Sequence, residues 1–333
     1  MHKKITIFLI IFLISCQSSK KDSKGNFNDL VILSSLEDKV MLESIINNNI
    51  FLDTFFTPEP EPFLNKIWIT PKQFKHYKNH SNLLLISVSD PIDETIDVLI
   101  NEFSKNNKIE SFPVVLNDVY SSNQLITIIK EEDQSFFERK LDETLIYLDS
   151  IIKNHINNLY YSRYKSFNND TLISELAFKL FNQSFYFRED FKIIDYSNID
   201  DMKYLWIGRG DVLAENSIYQ WLIIKDLHDS IHFDNNKILK LIQNNLNNVI
   251  SDIDVIMDYN QFLFDSSQNF NIYKINTLYN HNKYKTGGPL IVFILEDKIS
   301  NENKIIFGLV NAPGQNKLNA IKELESIVIK SIF

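Results

Sequence analysis

The sequence contains one cysteine, Cys16, and its position decides what the rest of the chain must do without. His2, Lys3 and Lys4 form a short positive lead, and residues 5–14 are apolar apart from Thr6. A membrane-crossing helix needs about 20 such residues, so a run half that length reads as the core of a signal peptide, here residues 1–15. The run closes on Leu13-Ile14-Ser15-Cys16, which resembles a bacterial lipobox: a small residue, then a cysteine whose thiol is acylated before cleavage ahead of it. The plainer alternative is a secretory signal with an incidental cysteine. Acylation removes the only thiol, so in an oxidising envelope the fold must stand on its apolar core without disulfides.

One acyl chain holds a protein marginally, at ~0.8 kcal/mol per buried CH2, whereas two or three hold it stably. The expectation is therefore a lipid-anchored cell-envelope protein with a water-soluble body. Gln17 stands where an aspartate signals inner-membrane retention in some bacteria, which favours the outer membrane. Residues 16–28 are rich in Ser, Lys, Asp and Asn and read as a lipidated flexible tether. With 44% hydrophobic and 23% charged residues, the remainder is globular in type and long enough for a large core. Loss of Lys3 and Lys4 with the leader moves the formal charge from −9 to about −11, a sign that argues against nucleic acid or bare anionic lipid as a partner.

Along the chain, residues 30–33 suit a buried strand, and Val40, Met41, Ile45 and Ile46 fall at helical spacing within residues 37–46. Residues 50–56 read as a strand that stops at Thr57-Pro58-Glu59-Pro60-Glu61-Pro62. Each proline there lacks a donor and fixes its own φ, so the segment reads as extended, polyproline-like and unable to pair in a ladder. It is a stiff connector or, on the sharper reading, a docking arm. Strands at 63–69 and 83–88 flank a short helix at 71–77, residues 96–103 read as helical, and 114–119 with 125–129 as a hairpin. Strand, helix, strand, strand, helix, strand is a ferredoxin-like order.

From Phe137, the apolar positions Leu141, Leu145, Leu148, Ile152, Ile156 and Leu159 recur every three or four residues and predict a long amphipathic helix, with Ser135 and Glu138 as a capping box. The pattern breaks at 166–170, placing a boundary between an N-terminal lobe, 29–165, and a C-terminal lobe, 166–333. In the second lobe strands are expected at 185–187, 191–196, 204–207, 218–224, 270–279, 290–295 and 305–310. Helices are expected at 172–181, at 238–250 and from Asn316 onward. The fold class is α+β, with largely antiparallel sheets and packed helices, compatible with two ferredoxin-like lobes.

His76 with His80, and His228 with His232, are four residues apart, a spacing that puts two imidazoles on one face only if the segment is helical. Tyr77 and Asp229 stand where a zincin carries its glutamate, and no metal site is expected. Seven glycines leave little material for a phosphate loop, and no dinucleotide fingerprint or nucleophile elbow is present, so no cofactor is expected. Gly208-Arg209-Gly210-Asp211 reads as a tight turn stabilised by glycine freedom.

The densest cluster lies between Lys283 and Lys317. Thr286-Gly287-Gly288-Pro289 opens a strand, and Gly308-Leu309-Val310-Asn311-Ala312-Pro313-Gly314 leads to Lys317 at the last helix. This pattern resembles a family of uncharacterised Bacteroidota lipoproteins (domain of unknown function 4837), in which a Gly-Gly-Pro turn precedes a strand and a Tyr-Ala-Pro segment precedes a basic residue and the final helix. Pro60-Glu61-Pro62-Phe63, Phe74, Asn82-Leu83-Leu84 and Leu205-Trp206-Ile207 with Arg209 agree with further places in that family. Thr286, Leu290, Asn311 and Gly208 depart from it. The resemblance implies an envelope compartment and a fold, and nothing catalytic.

Gly287, Gly288, Pro289, Pro313, Lys317, Trp206 and Arg209 are the candidate binding residues, with Cys16 the lipidation site. Lys317 falls in the first turn of the last helix, where a cation gains nothing from the dipole; an anion or carboxylate beside it is the sharper reading and a solvated side chain the plainer one. The two turns, 287–289 and 313–317, are expected to converge at one end of a sheet. Two classes of function fit the sequence. The first is a non-catalytic binding or assembly module for a protein or glycan partner, favoured by the missing catalytic signature and an aromatic content of 13%. The alternative is an envelope hydrolase drawing on carboxylates such as Asp211, Glu296 or Asp297, brought within roughly 5 to 10 Å of each other.

Overall fold

The computed structural model describes residues 20–49, 51–88, 95–107, 112–131, 134–210, 217–228, 234–300 and 302–332. The expected signal peptide, Cys16, Asp90-Pro91, Asp211 and His232 lie outside the described residues, as do the side chains of Ser135, Phe137, Glu138, Leu141 and Leu145. The chain divides into two units, Met1–Leu52 with Leu64–Ile156, and Asp53–Phe63 with Asn157–Phe333.

The first unit opens on β1 (Asp29–Leu33), buried along its whole length, and turns at Ser34-Ser35 into α1 (Leu36–Asn49). Ser35 Oγ accepts the Asp38 amide at 3.0 Å, satisfying one of the unpaired donors of the helix start. The chain then enters residues 53–63, which belong to the second unit and carry the two-residue strands β2 (Thr54–Phe55) and β3 (Glu61–Pro62). Back in the first unit follow β4 (Asn65–Ile69), a 3-10 turn at Pro71–Gln73 running into α2 (Phe74–Tyr77), β5 (Asn82–Val88) and α3 (Thr95–Asn107). β6 (Val114–Asn117) and β7 (Leu125–Glu131) form the expected hairpin, and α4 (Gln134–Lys165) runs on into the second unit.

The first sheet has the order β4-β1-β5-β7-β6, with β4, β1, β5 and β7 parallel and β6 antiparallel. This corrects the ferredoxin-like expectation, which requires antiparallel neighbours. A strand inside a parallel sheet is covered on both faces, which is why Leu30-Val31-Ile32-Leu33 and Leu83-Leu84-Leu85-Ile86, all 0–1% exposed, are unbroken apolar runs and not alternating ones. The chain passes through α1 between β1 and β4 and through α2 between β4 and β5, crossovers of the kind that parallel strands require, whereas β6, the next strand after α3, is the antiparallel one. On one face Val31, Leu33, Leu83, Leu85, Ile126 and Ile128 pack with Ile96, Ile100 and Phe103 of α3.

Residues 20–28 are not the free tether that their polarity predicts. The Ser23 amide donates to Ser122 O at 3.0 Å and Ser122 N returns a bond to Lys21 O at 3.0 Å. Lys24 N donates to Asn79 O at 2.8 Å, and Ser81 N to Lys24 O at 3.2 Å. These residues have little apolar surface to bury beyond Phe27, but their backbone groups pair with neighbouring loops, a possibility that a composition argument does not weigh.

The second unit continues with α5 (Thr171–Phe181), β8 (Lys192–Ser197), β9 (Tyr204–Arg209), β10 (Tyr219–Leu227), α6 (Asn235–Asn247), β11 (Ile253–Ser266), β12 (Phe270–His281), β13 (Thr286–Asp297), β14 (Asn303–Asn311) and α7 (Leu318–Ile332). Seven of its strands form one antiparallel sheet, in the order β11-β12-β13-β14-β10-β9-β8. Ile291, Phe293 and Leu295 face one layer, with Ile321, Leu324 and Val328 of α7 and Ile173, Ala177 and Leu180 of α5. Leu290, Val292 and Ile294, one residue out of phase, face α6 through Ile238, Ile242 and Leu246. Helices on both faces explain why β13 and β14 read as continuous apolar runs although they are antiparallel.

Three sequence expectations change here. The boundary between the units falls at Ile156/Asn157, inside α4 and not at residue 166, because Tyr164 joins the second unit's core and Tyr160 Oη donates to Asn319 Oδ1 at 2.5 Å. Residues 185–187 form no strand; Phe185 and Phe187 stack with centroids 6.0 Å apart and fill the core from a loop. β11 was not expected at all: it is an edge strand whose pairing with β12 is interrupted by an irregularity between Val255 and Asn260.

The segment 53–63 also departs from expectation. β3 pairs antiparallel with β2, Pro62 opposite Thr54, which a proline permits in a two-residue edge ladder. Phe55 and Phe63 stack at 5.4 Å, and the ammonium of Lys322 on α7 lies 5.2 and 5.5 Å from their ring centres. Lys322 Nζ also bonds Glu325 at 2.7 Å, and Lys274 reaches the other oxygen of that carboxylate at 2.5 Å. Burial alone raises the Glu325 carboxyl, but Lys274 and Lys322 overcome it and hold the group down at about 2. For Lys322 burial dominates and lowers the ammonium below its usual range, with Glu325 partly restoring it.

Candidate functional site

At the end of the second sheet where β13 begins and β14 ends, a cleft of about 620 Å³ is lined by Pro58 to Pro62, Lys285 to Gly287, Asn311 and Pro313 to Lys317. The two turns expected to converge do so: Gly287, Pro313 and Lys317 share this cleft. Gly288 and Pro289 lie just inside it on β13, opposite Tyr279 and Leu278 of β12.

Glu61 organises the cleft. Its carboxylate accepts the Lys317 amide at 2.9 and 3.0 Å and the Leu318 amide at 3.2 Å, and it lies 3.6 Å from Lys317 Nζ. The unpaired amides and positive dipole end of α7 thus already hold an anion, which is the acidic partner that the position of Lys317 demands. An anionic ligand there would have to displace a carboxylate whose side chain is 14% exposed, so the start of α7 is already neutralised. Asn316 Oδ1 adds a second cap on the Leu318 amide at 3.1 Å, and Lys317 Nζ donates to Gln315 O at 2.8 Å. Gly314, at φ +66°, turns the chain into the helix.

Replacing Glu61 with glutamine keeps the shape and removes the charge. The variant is expected to lose about 1–2 kcal/mol of unfolding free energy, the range of a helix cap with its dipole contribution, in urea titrations at neutral pH. Unchanged stability would mean that the segment 53–63 is held by its aromatic contacts alone.

Arg209 is in a second cleft of about 300 Å³, with Asp190, Gln220, Asn319 and Glu323. It pairs with Asp190 at 2.9 Å, with Glu323, and with Gln220 Oε1, while Arg188 joins the same acids at 2.8 and 3.2 Å. Two guanidinium groups and two carboxylates so arranged satisfy one another. Trp206 is not brought to either cleft: it meets Trp221 edge to face at 5.7 Å and packs on the α6 side of the sheet, its Nε1 without a hydrogen-bond partner. Sequence proximity to Arg209 misplaces it because successive strand residues point to opposite faces and Trp206 is three removed.

The other sequence candidates fall elsewhere. α2 ends at Tyr77, so His76 and His80 share no helix face; His80 lies against the Tyr77 ring at 5.0 Å, and its burial lowers its pKa. His228 contacts Asp200 O at 3.0 Å. Among the described residues no group of three or more His, Cys, Asp and Glu could hold a metal ion. Glu296 accepts from Asn271 at 2.8 Å, and Asp297 accepts the Ile299 and Ser300 amides at 2.8 and 3.1 Å in the β13–β14 turn, at the far end of those strands from the first cleft. Burial tends to raise the Asp297 carboxyl, but those amide bonds win and lower it. The sequence singled out Glu61 only as part of Pro60-Glu61-Pro62-Phe63 and gave no sign of its pairing, since its partner lies 256 residues downstream.

No protein-family model matches the chain, and no curated protein matches it. Among solved structures, that of LpqN, involved in cell envelope biogenesis of Mycobacterium tuberculosis, aligns with 43% of this chain and 78% of its own at 11% identity and a TM-score of 0.27. No helix among the described residues is long and apolar enough to cross a membrane.

Proposed function

We propose that this protein is a lipid-anchored cell-envelope protein of the outer membrane, related to the Bacteroidota lipoprotein family that it resembles, and that it works as a non-catalytic binding or assembly module for a protein or glycan partner. The observation that carries the binding reading is the cleft at the start of α7. Two turns and a proline-rich segment from three parts of the sequence meet there, and Glu61 and Lys317 within it already compensate each other. What remains to a partner is backbone, amide side chains, the rigid face of Pro58 to Pro62 and the exposed Glu59 and Lys285, which suits hydrogen-bonded recognition more than acid–base chemistry. The hydrolase alternative draws no support from Glu296 and Asp297, which are engaged by other donors away from the cleft.

A photo-crosslinking residue in place of Glu59, which is exposed on the cleft rim, tests the binding reading in intact cells. A defined adduct is expected there and none at Ser300, in the turn at the opposite end of β13 and β14. Equal adducts at both positions, or none at Glu59, would remove the cleft from the proposal. The anchor has its own test. Cys16→Ser is expected to abolish incorporation of a palmitate analogue and to release the protein from membranes or leave it unprocessed; label persisting in the variant would refute lipidation at that residue.

A further inference from the structure

The segment between the lipidation site and the folded body is far shorter than the sequence implies, and this limits what the first unit can face. Lys20 is already fastened: its ammonium contacts the carbonyl oxygens of Asp118 and, at 3.0 Å, of Val119. Ser122 Oγ donates to Lys20 O at 3.1 Å, and Asp22 and Lys24 form bridges to Ser122 and His80. Four peptide steps separate Cys16 from Lys20, and a chain covers at most 3.3–3.6 Å per step, so the body begins within about 14 Å of the acylated residue; a tether free to Asn28 would reach about 43 Å.

Resting on the lipid anchor proposed above, we propose that the end of the first unit from which β1, β5 and β7 start sits directly on the bilayer surface. The short leash holds the headgroup layer against Lys21, Lys24 and the neighbouring Lys78. The charges there favour that contact. Lys20, Lys21 and Lys24 are exposed and Lys78 is half-buried beside them, whereas of the acids at this end Asp29 is buried, accepting from Asn26 N at 2.8 Å and Asn65 at 2.9 Å, which leaves four cations against the two exposed acids Asp22 and Asp118. This local excess of cations therefore meets lipid phosphates although the chain as a whole is acidic.

Acylation of Cys16 leaves the native chain without a thiol, so a single introduced cysteine can carry a fluorophore. Lipidated Asn79→Cys and Leu36→Cys proteins, labelled and reconstituted into phosphatidylcholine–phosphatidylglycerol vesicles with headgroup quenchers, report the two ends of the sheet, with Lys21→Cys calibrating the near limit. The ends are separated by the 7 residues of β5, about 23 Å at 3.3 Å per residue. Quenching is expected to be several-fold stronger at position 79 than at 36. Equal quenching, or stronger quenching at 36, in protein that floats with the vesicles overturns this orientation and leaves the anchor standing. Protein that carries no acyl chain and fails to float overturns both. Inserting about twelve Gly and Ser residues between Ser19 and Lys20, roughly 20 Å of added reach, is expected to erase the difference while flotation persists. A difference that survives the insertion overturns the leash as its cause.

Discussion

Replacing Glu325 with glutamine is expected to lower the unfolding free energy by about 3–5 kcal/mol, since removing one partner of a buried ion pair leaves its counterpart uncompensated. The Glu325 and Lys322 side chains are 2% and 7% exposed, so Lys322 cannot recover hydration without opening the core. Lys274, whose side chain is 21% exposed, can turn outward, which makes Lys322 the source of most of the loss. The sign with pH follows. A carboxyl held at about 2 in the folded state and at 4.5 when unfolded binds its proton more readily in the unfolded chain. Its contribution is complete above about pH 4.5 and is lost as pH falls toward 2. Urea titrations between those limits should show the wild-type stability falling toward that of Glu325→Gln, with the variant flatter; parallel curves would show that the group is not held down. The paired replacement Glu325→Leu with Lys322→Met should recover much of the loss, because apolar pairs of similar volume often match buried ion pairs.

Gly288→Val is the second large effect. A Cβ at that position falls well inside van der Waals distance of the Val310 carbonyl oxygen, which is itself part of the sheet and cannot swing away. The strand must shift or the ladder to β14 must open, at a cost of about 3 kcal/mol or more, the upper end for overpacking a core. Gly314→Ala is the contrast. Nothing lies within 4 Å of its added carbon, and only the positive φ is strained, so a loss of about 1 kcal/mol is expected. Thermal unfolding of both variants checks the pair: comparable losses would mean that backbone conformation, and not the close approach of β13 to β14, sets the demand for glycine here.

The sequence by itself determined the elements that bury apolar surface at a regular period. The runs at Leu30 and Leu83, the amphipathic stretches of α4, α5 and α7, and the hairpin of β6 and β7 all follow from side-chain spacing that a strand or helix must place on one face. It also indicated the convergence of the Gly287 and Pro313 turns, because turn residues at strand and helix ends mark one end of a sheet. Which strands are neighbours was left to the tertiary structure. An unbroken apolar run fits a parallel strand and a doubly covered antiparallel one equally, and here β5 is the first kind and β13 the second. The pairing of Glu61 with the start of α7 and the attachment of residues 20–28 to the Ser122 loop were likewise decided in three dimensions. Both depend on polar groups finding partners far along the chain, and a hydrogen bond closed across such distances leaves no periodic trace in the residues that make it.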